Sequence, residues 1–367
     1  MSHRDTVTPA RPEITSHAGV SVLAGLVVGV IVAIVFGSTI TSAADRPAAA
    51  AILTPLSEGE LAAVDAAHAW IASRQERDGT WAFESQQRPN PEAATAFALL
   101  AFMGRGHTHR QGPYQKQFAR GLDSLVARIG DDGGRQIATA GTMYAAGIVS
   151  LAICRAYELS RDEALAKPAQ ETLDFLTDAQ DPQGGGWRYQ PRQPGDTSAS
   201  GWQVAALATG VAAGLRVKPE TMTGAASFLD RVQADVDGTS YGYVSPTNAT
   251  PSCSAIGLVA RTRTGWTPDD ARLGRGADVL VRLGPSTNLY TDYHISQLFH
   301  ILGGERNKVW RAAVVPPLLT AQARDGDDRG SWLAGFEKTV AADRLYCTTL
   351  ATLILETPLM PRPPRPQ

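Results

Sequence analysis

Gln75-Glu76-Arg77-Asp78-Gly79-Thr80-Trp81 is the stretch that decides the fold, because variants of it return as Gln180 to Trp187 and, with an insertion, as Gln322 to Trp332. A fourth copy keeps Gln233 and Gly238 and carries Tyr241 and Tyr243 where the Trp would stand. The loop glycines Gly79, Gly133, Gly185, Gly238, Gly284 and Gly330 follow one another at steps of 54, 52, 53, 46 and 46 residues, which divides the chain into six units. Self-similarity at such a period marks stacked supersecondary modules.

Each unit alternates two helical patterns around a Gly-rich loop. The first pattern is amphipathic. It opens at Ser57-Glu58-Gly59-Glu60, a capping box, and continues with Leu61, Val64, His68 and Ile71 on one face. Equivalent helices are expected from Pro168 and Pro219, since proline suits the first helical position. The second pattern covers Ala93 to Met103, Met143 to Tyr157, Gly201 to Leu215, Ser252 to Arg261, Tyr293 to Leu302 and Tyr346 to Leu355. These segments are apolar nearly all round and crowded with Ala, Gly, Ser and Thr, so they must be covered on every side and packed closely. The expected fold is all-α, with six outer and six inner helices, stacked openly or closed into a ring.

The chain has 367 residues, 43% of them apolar, and a formal charge of −2, so it offers no basic surface for nucleic acid. Cys154, Cys253 and Cys347 form neither a disulfide framework nor a zinc-finger spacing and suit small core positions. From Ala18 to Ala44 there are 27 residues without charge or His, enough to cross a bilayer, which needs roughly 20 apolar residues. A signal peptide cleaved near Thr41-Ser42-Ala43-Ala44 is the competing reading, but the run exceeds the usual signal-peptide core of about 7–15 residues. The expected layout is a cytoplasmic tail over 1–17, a single membrane anchor over 18–40, a linker over 41–55, an extracytoplasmic (periplasmic) helical body over 56–357 and a Pro-rich disordered tail over 358–367.

The repeat resembles that of the squalene–hopene cyclase and prenyltransferase superfamily, which runs aromatic-Leu, three residues, Gln, a gap, then Gly-x-Trp. Phe175-Leu176 to Gln180 with Gly185-Gly186-Trp187 matches it, as do Trp70-Ile71 to Gln75 with Gly79-Thr80-Trp81, and Phe228-Leu229 to Gln233. The likeness covers nearly the whole body and is nearest to short, membrane-anchored bacterial members, through Gly106-His107-Thr108-His109 and Gly195-Asp196-Thr197-Ser198 to Gly201-Trp202-Gln203. It implies an (α/α)6 toroid with a central cavity. The cyclases of that superfamily protonate an alkene with the middle Asp of Asp-x-Asp-Asp-Thr-Ala; here Gly195 stands at that register, followed by Asp196 and Thr197, so that chemistry is not expected. Its zinc enzymes use an Asp-x-Cys pair and a later His, whereas Asp343 and Cys347 are four apart and follow His294 and His300, so no metal or other cofactor is expected. Asp325-Gly326-Asp327-Asp328 and Asp235-Val236-Asp237 are expected to be solvated turns, and His107 with His109 lacks a carboxylate partner for a metal site.

In a ring, the starts of the inner helices converge at one mouth. That geometry nominates Asp196, Asp292 and His294 as catalytic candidates and Tyr144, Trp202, Tyr293, Tyr346 and Cys347 as ligand-binding candidates. Asp196, Asp292 and Asp343 also stand where helix N-caps belong, and Asp292-x-His294 sets a carboxylate near an imidazole whose basicity it would raise. Two functions compete: a toroid that binds or transforms an apolar isoprenoid-like lipid, or a non-catalytic scaffold for an envelope protein. The first requires a wide aromatic-lined pocket and would be weakened by a filled, dry barrel centre; the second requires an exposed apolar patch.

Overall fold

The structure, a computed structural model, describes residues 55–84, 90–286, 288–333 and 343–360. The expected anchor over 18–40 and the linker to residue 54 lie outside the described residues, among which no helix is long and apolar enough to cross a membrane.

Six helices form the outer layer: α1 (Glu58–Ser73), α3 (Gln115–Ile129), α6 (Ala166–Asp178), α8 (Pro219–Val232), α10 (Ala271–Leu283) and α12 (Gly304–Ala321). Six form the inner layer: α2 (Pro91–Gly104), α5 (Met143–Ser160), α7 (Thr197–Ala213), α9 (Pro251–Arg263), α11 (Leu289–Leu302) and α13 (Arg344–Glu356). A short α4 (Arg135–Gly141), which no periodicity announces, is inserted in the second unit. Among the described residues there are no strands beyond the isolated bridges Trp187–Asp196 and Gln233–Tyr241. Each inner helix packs on the next, and α13 returns to α1 and α2 while α12 meets α1, so the array closes as an all-α toroid.

The inner helices are small-residue rich because they are buried all round: every described position from Ala93 to Met103 is buried. Neighbouring backbones come close enough that a Cβ added at Gly201 would lie 2.4 Å from Ile256 Cγ2. The outer helices expose one face. The capping box forms as read, with Glu60 N–H donating to Ser57 Oγ at 3.3 Å and Ser57 N–H to Glu60 Oε2 at 2.8 Å. Pro219 opens α8, whereas α6 starts two residues before Pro168.

The repeated Gln, Gly and Trp join the first, third and sixth units to the units that follow them, whereas Gln233 of the fourth donates within its own loop to Asp235 O at 2.8 Å. Gln180 Nε2 donates to the loop carbonyl of Gly185 at 2.7 Å and to Thr221 O of the next outer helix at 2.9 Å. Gln75 does the same to Gly79 O and Gln117 O, both at 2.8 Å. Gln322 reaches Gly330 O at 2.9 Å and Ala63 O at 2.8 Å, so the identical staple joins the last unit to the first. The Gln side chain therefore donates to carbonyls on both sides of a joint. Gly79, Gly185 and Gly330 have φ of 90°, 69° and 93°, and a Cβ there would sit 2.7, 2.1 and 2.3 Å from a backbone oxygen of the following outer helix. Only glycine permits both the left-handed turn and that approach.

Each Trp lies under its loop and closes a second pair of bonds. Indole Nε1 of Trp81, Trp187 and Trp332 donates to Ile71 O, Leu176 O and Leu318 O at 2.6, 2.8 and 2.8 Å, satisfying carbonyls left free in the last turn of an outer helix. Their backbone N–H groups donate to Thr95, Ser200 and Thr348 hydroxyls at 2.9, 2.9 and 3.0 Å on the paired inner helix. Tyr241 serves in the fourth copy, with its N–H on Ser254 Oγ at 3.1 Å and its hydroxyl receiving Arg261 Nε at 3.1 Å.

The seam carries further polar ties. Arg74 donates to Asp327 O at 2.6 Å, and Asp328 pairs with Arg74 at 3.5 Å and Arg344 at 3.0 Å, so the acidic turn at Asp325–Asp328 is a docking element of the closure and not merely a solvated loop. His68 Nε2 lies 3.0 Å from Ala101 O and 3.3 Å from Glu356 Oε1, both side chains being fully buried. The chain also stays ordered beyond the expected end of the body: Thr357–Leu359 form a 3-10 turn, Pro358 is buried, and Met360 O accepts from His300 Nε2 at 2.8 Å. Residues 361–367 lie outside the described residues.

Gln322→Leu should lower unfolding free energy by about 2 kcal/mol, since two net hydrogen bonds of roughly 1 kcal/mol each are lost at the closure. Urea unfolding followed by circular dichroism measures this; an unchanged midpoint would show that the staple does not hold the seam.

Candidate functional site

All inner helices run the same way, so their starts share one mouth and their ends the other. Every start is capped by a side chain. Asn90, Thr142, Asp196, Thr250, Asn288 and Asp343 accept the N–H of Ala93, Tyr144, Ala199, Cys253, Thr291 and Tyr346 at 3.2, 3.3, 2.7, 3.1, 2.8 and 2.9 Å. Such caps stabilise by about 1 kcal/mol each.

Aromatic rings fill this mouth. Phe97 of α2 meets Trp202 of α7 edge-on at 5.5 Å and Tyr346 of α13 at 5.6 Å. Trp202 stacks on Tyr293 of α11 at 5.9 Å and touches His294 at 5.5 Å, while Tyr290 meets His294 at 4.7 Å. Trp202 is 1% exposed and Phe97 and Tyr293 are 3% exposed, so the rings make a dry plug and not the wall of an open pocket.

The three catalytic candidates are separated in this mouth. Asp196 caps α7 through Oδ1, and its Oδ2 accepts from Tyr243 Oη at 3.0 Å, which in turn lies 2.7 Å from Tyr189 Oη. Burial holds its carboxyl above the usual carboxylate range, although its hydrogen bonds and Arg188 act in the opposite sense. Asp343 is a cap too, and its second oxygen receives Glu84 N–H. Asp292 is not a cap. It lies in the first turn of α11, behind the true cap Asn288, and its Oδ1 accepts both the N–H and the hydroxyl of Ser286 at 3.0 Å. Burial raises its pKa to about 6.

The expected Asp292–His294 pairing does not occur. Residues two apart on a helix point to different sides, so the carboxylate faces the preceding loop while the imidazole faces the plug. His294 moves opposite to the expectation: burial, and then Arg263, push its pKa down to about 3, and neither ring nitrogen has a hydrogen-bond partner. It is a neutral imidazole.

Tyr144 stands beside Ser198 and Tyr290, and burial raises its phenol well above the ordinary value. Cys347 is buried in the first turn of α13, and Cys154 and Cys253 are buried as well. His109 Nε2 pairs with Asp162 at 2.8 Å and His107 stacks edge-on against His68 at 5.3 Å. Among the described residues no three His, Cys, Asp or Glu side chains converge on a metal position.

The open space lies at the opposite mouth, where the inner helices end. A cavity of about 640 Å³ is bounded by Ala208, Val211 and Ala212 of α7, Met222, Ile301 and Met360, with three threonines and the larger polar residues Arg155, Glu158, Arg263, Gln297 and His300. It shares Arg155, Arg263, Gln297 and Met360 with a narrower space of about 140 Å³ inside the ring, which is lined from all six inner helices and ends against Tyr293. Of the candidates named from sequence, Tyr293 alone lines either space.

Charge in this mouth is unbalanced. Arg155 is neutralised by Glu158 at 2.5 Å. Arg263, the last residue of α9, has no carboxylate within ion-pair distance among the described residues; burial lowers its pKa, and Tyr293 is the neighbour that opposes the shift. A cation at a helix C-terminus gains about 0.3–1 kcal/mol from the helix dipole. Arg263 is half-buried where it lines the cavity, and beyond the dipole no counter-charge among the described residues meets it. Gln297, 8% exposed, likewise leaves Oε1 without a partner. Sequence reasoning missed these residues by following the helix starts. The available signal was arginine inside, or at the end of, segments otherwise apolar on every face: Arg155 within one, and Arg261 and Arg263 at and just past the end of another.

No family model and no curated protein sequence matches this chain. Solved structures do. An inactive variant of an α-1,6-mannanase from Salegentibacter sp. HEL1_6, in complex with α-1,6-mannotriose, aligns over 82% of this chain and 98% of its own with a TM-score of 0.61 and 12% identity. A variant of a type II terpene cyclase from Scytonema, in complex with geranylgeranyl dihydroxybenzoate, aligns over 82% and 97% with a TM-score of 0.56 and 17% identity, and the apo form of that cyclase over 82% and 98% with 0.55 and 14%. These likenesses establish the fold, an α-helical toroid that serves both sugar and terpenoid chemistry.

Asp292 supplies a pH test. With its folded pKa at about 6 against an ordinary 3.8, the folded chain between those values holds a proton that the unfolded chain has released, so stability falls as pH rises through that window. Asp292→Asn should remove this contribution, and the gap in urea midpoint between variant and parent should open in the variant's favour from pH 4 to 7. A constant gap would show that Asp292 is ionised in the fold throughout.

Proposed function

We propose that this chain is a lipid-binding toroid: an isoprenoid-like chain occupies the cavity at the ends of the inner helices, and residues 18–40 anchor the toroid at the extracytoplasmic face of a membrane. The observation that carries the reading is the cavity itself. Its volume of about 640 Å³ falls among ligand pockets, which run about 300–1,000 Å³, and Ala208, Val211, Met222, Ile301 and Met360 make it largely apolar. The terpene cyclase that shares the fold binds a geranylgeranyl compound, which supports a prenyl chain as occupant.

Sugar hydrolysis fits the cavity less well. It requires two carboxyl groups flanking the bond, about 5–9.5 Å apart, whereas the described lining contains the single carboxylate Glu158, engaged by Arg155. Cyclisation by alkene protonation lacks its donor at Gly195, and Asp196 lies at the plugged mouth, lining neither space. The filled aromatic centre removes the wide pocket first expected there, so the ligand is assigned to the other end of the ring. No reaction is assigned. The scaffold reading has small exposed apolar features behind it: Val279 and Leu283 lie one turn apart on α10, while Val236, Val309 and Leu333 stand on other elements.

Native mass spectrometry of the full chain, extracted in detergent and exposed to geranylgeraniol, tests this. The wild type should retain the alcohol, and Ala208→Trp, which fills the cavity from α7, should weaken binding about tenfold. Equal retention by both would place the lipid elsewhere.

A further inference from the structure

We propose that the inner end of this cavity is an oxyanion site, in which the Arg263 guanidinium, the Gln297 carboxamide and the Tyr293 hydroxyl receive the carboxylate or phosphate head of an amphipathic ligand that enters head first. This deepens the lipid-binding reading and rests on it for the ligand's tail.

Three observations converge on the site. Arg263, Gln297 and Tyr293 come from two adjacent inner helices and line the same narrow space of about 140 Å³ inside the ring. Arg263 has no carboxylate partner among the described residues, although Arg155 a short way off has one, so the positive charge of this space is in excess by one. Gln297 is more than nine-tenths buried with Oε1 unpartnered, and turning its amide would present Nε2 to an acceptor beside the guanidinium. Guanidinium forks match carboxylate and phosphate oxygens, and excluding water strengthens the pairing.

The order of groups along the axis fixes the direction of entry. Beyond Tyr293 the ring is closed by Trp202, Phe97 and His294, a neutral imidazole that adds no charge. A ligand therefore enters only from the mouth where the inner helices end. Its polar end meets Arg263 inside, and its chain lies outward along Ala208, Met222, Ile301 and Met360.

Four probes separate the possibilities: geranylgeraniol, geranylgeranoic acid, geranylgeranyl phosphate and inorganic phosphate, titrated calorimetrically into the full chain and into Arg263→Met and Arg263→Lys. The acid or the prenyl phosphate should bind at least about tenfold tighter than the alcohol, and whichever does so names the head group. Arg263→Met should bring the ratio of anion to alcohol affinity, measured within the variant, to about one, with Arg263→Lys between. The ligand-free melting temperature of Arg263→Met should hold, because no ion pair among the described residues is removed; a fall would mark Arg263 as a structural group and overturn the site. Anion affinities unaffected by Arg263→Met overturn it as well. Binding of the alcohol without preference for anions would remove the oxyanion site and leave the lipid reading standing. Arg263-dependent binding of inorganic phosphate without binding of any prenyl probe would do the reverse, and binding of none of the four would remove both.

Discussion

One primary amide, repeated around the ring, holds the architecture. Gln75, Gln180 and Gln322 each use a single NH2 group to join a loop glycine to the following outer helix. A carboxamide suits the task because both protons diverge from one atom and reach two carbonyls whose separation the left-handed glycine sets. The indole beneath satisfies the outer helix from which the Gln came, and a Ser or Thr hydroxyl on the inner helix takes the indole residue's own N–H. Loop, outer helix, inner helix and next module are thereby tied at one buried point. Closure follows because the last module presents the same group to the first.

Closure in turn makes the two mouths chemically different. Parallel inner helices bring free N–H groups to one end and free carbonyls to the other. At the first end short polar caps satisfy the N–H groups, and aromatic residues of the first turns fill the space between them. At the second end long cationic side chains lean inward, and the apolar lining of α7 and α11 leaves room between them. The narrowing at Tyr293 divides the two regimes, so the ring holds a blind recess and not a through-channel.

The repeat and the two classes of helix were legible because they rest on local and periodic signals: a Gln-to-Trp spacing, an apolar stripe, and segments apolar on every face; those signals left an open stack and a ring equally available, and closure was expected only from the family resemblance. The capping box at Ser57 was legible for the same reason. The cap of α11 was not, because Asn288 and Asp292 both suit a helix start and only the loop's path decides between them. Thr95, Ser200, Ser254 and Thr348 were invisible as partners, since a hydroxyl inside a small-residue helix carries no mark of the neighbour it will meet. The location of the cavity was the largest miss. Convergent helix starts were foreseen, but whether converging aromatic side chains enclose space or consume it depends on packing volume, which periodicity does not encode. Arg263 belongs to the same class: its residue type was plain, and its want of a counter-charge emerges only in three dimensions.

The joint at Gln322, Gly330 and Ala63 repeats the bonds of the joints at Gln75 and Gln180, except that no peptide bond accompanies it. The polypeptide's break is therefore incidental to the ring, in the way that the clasp of a bracelet is one link among equals.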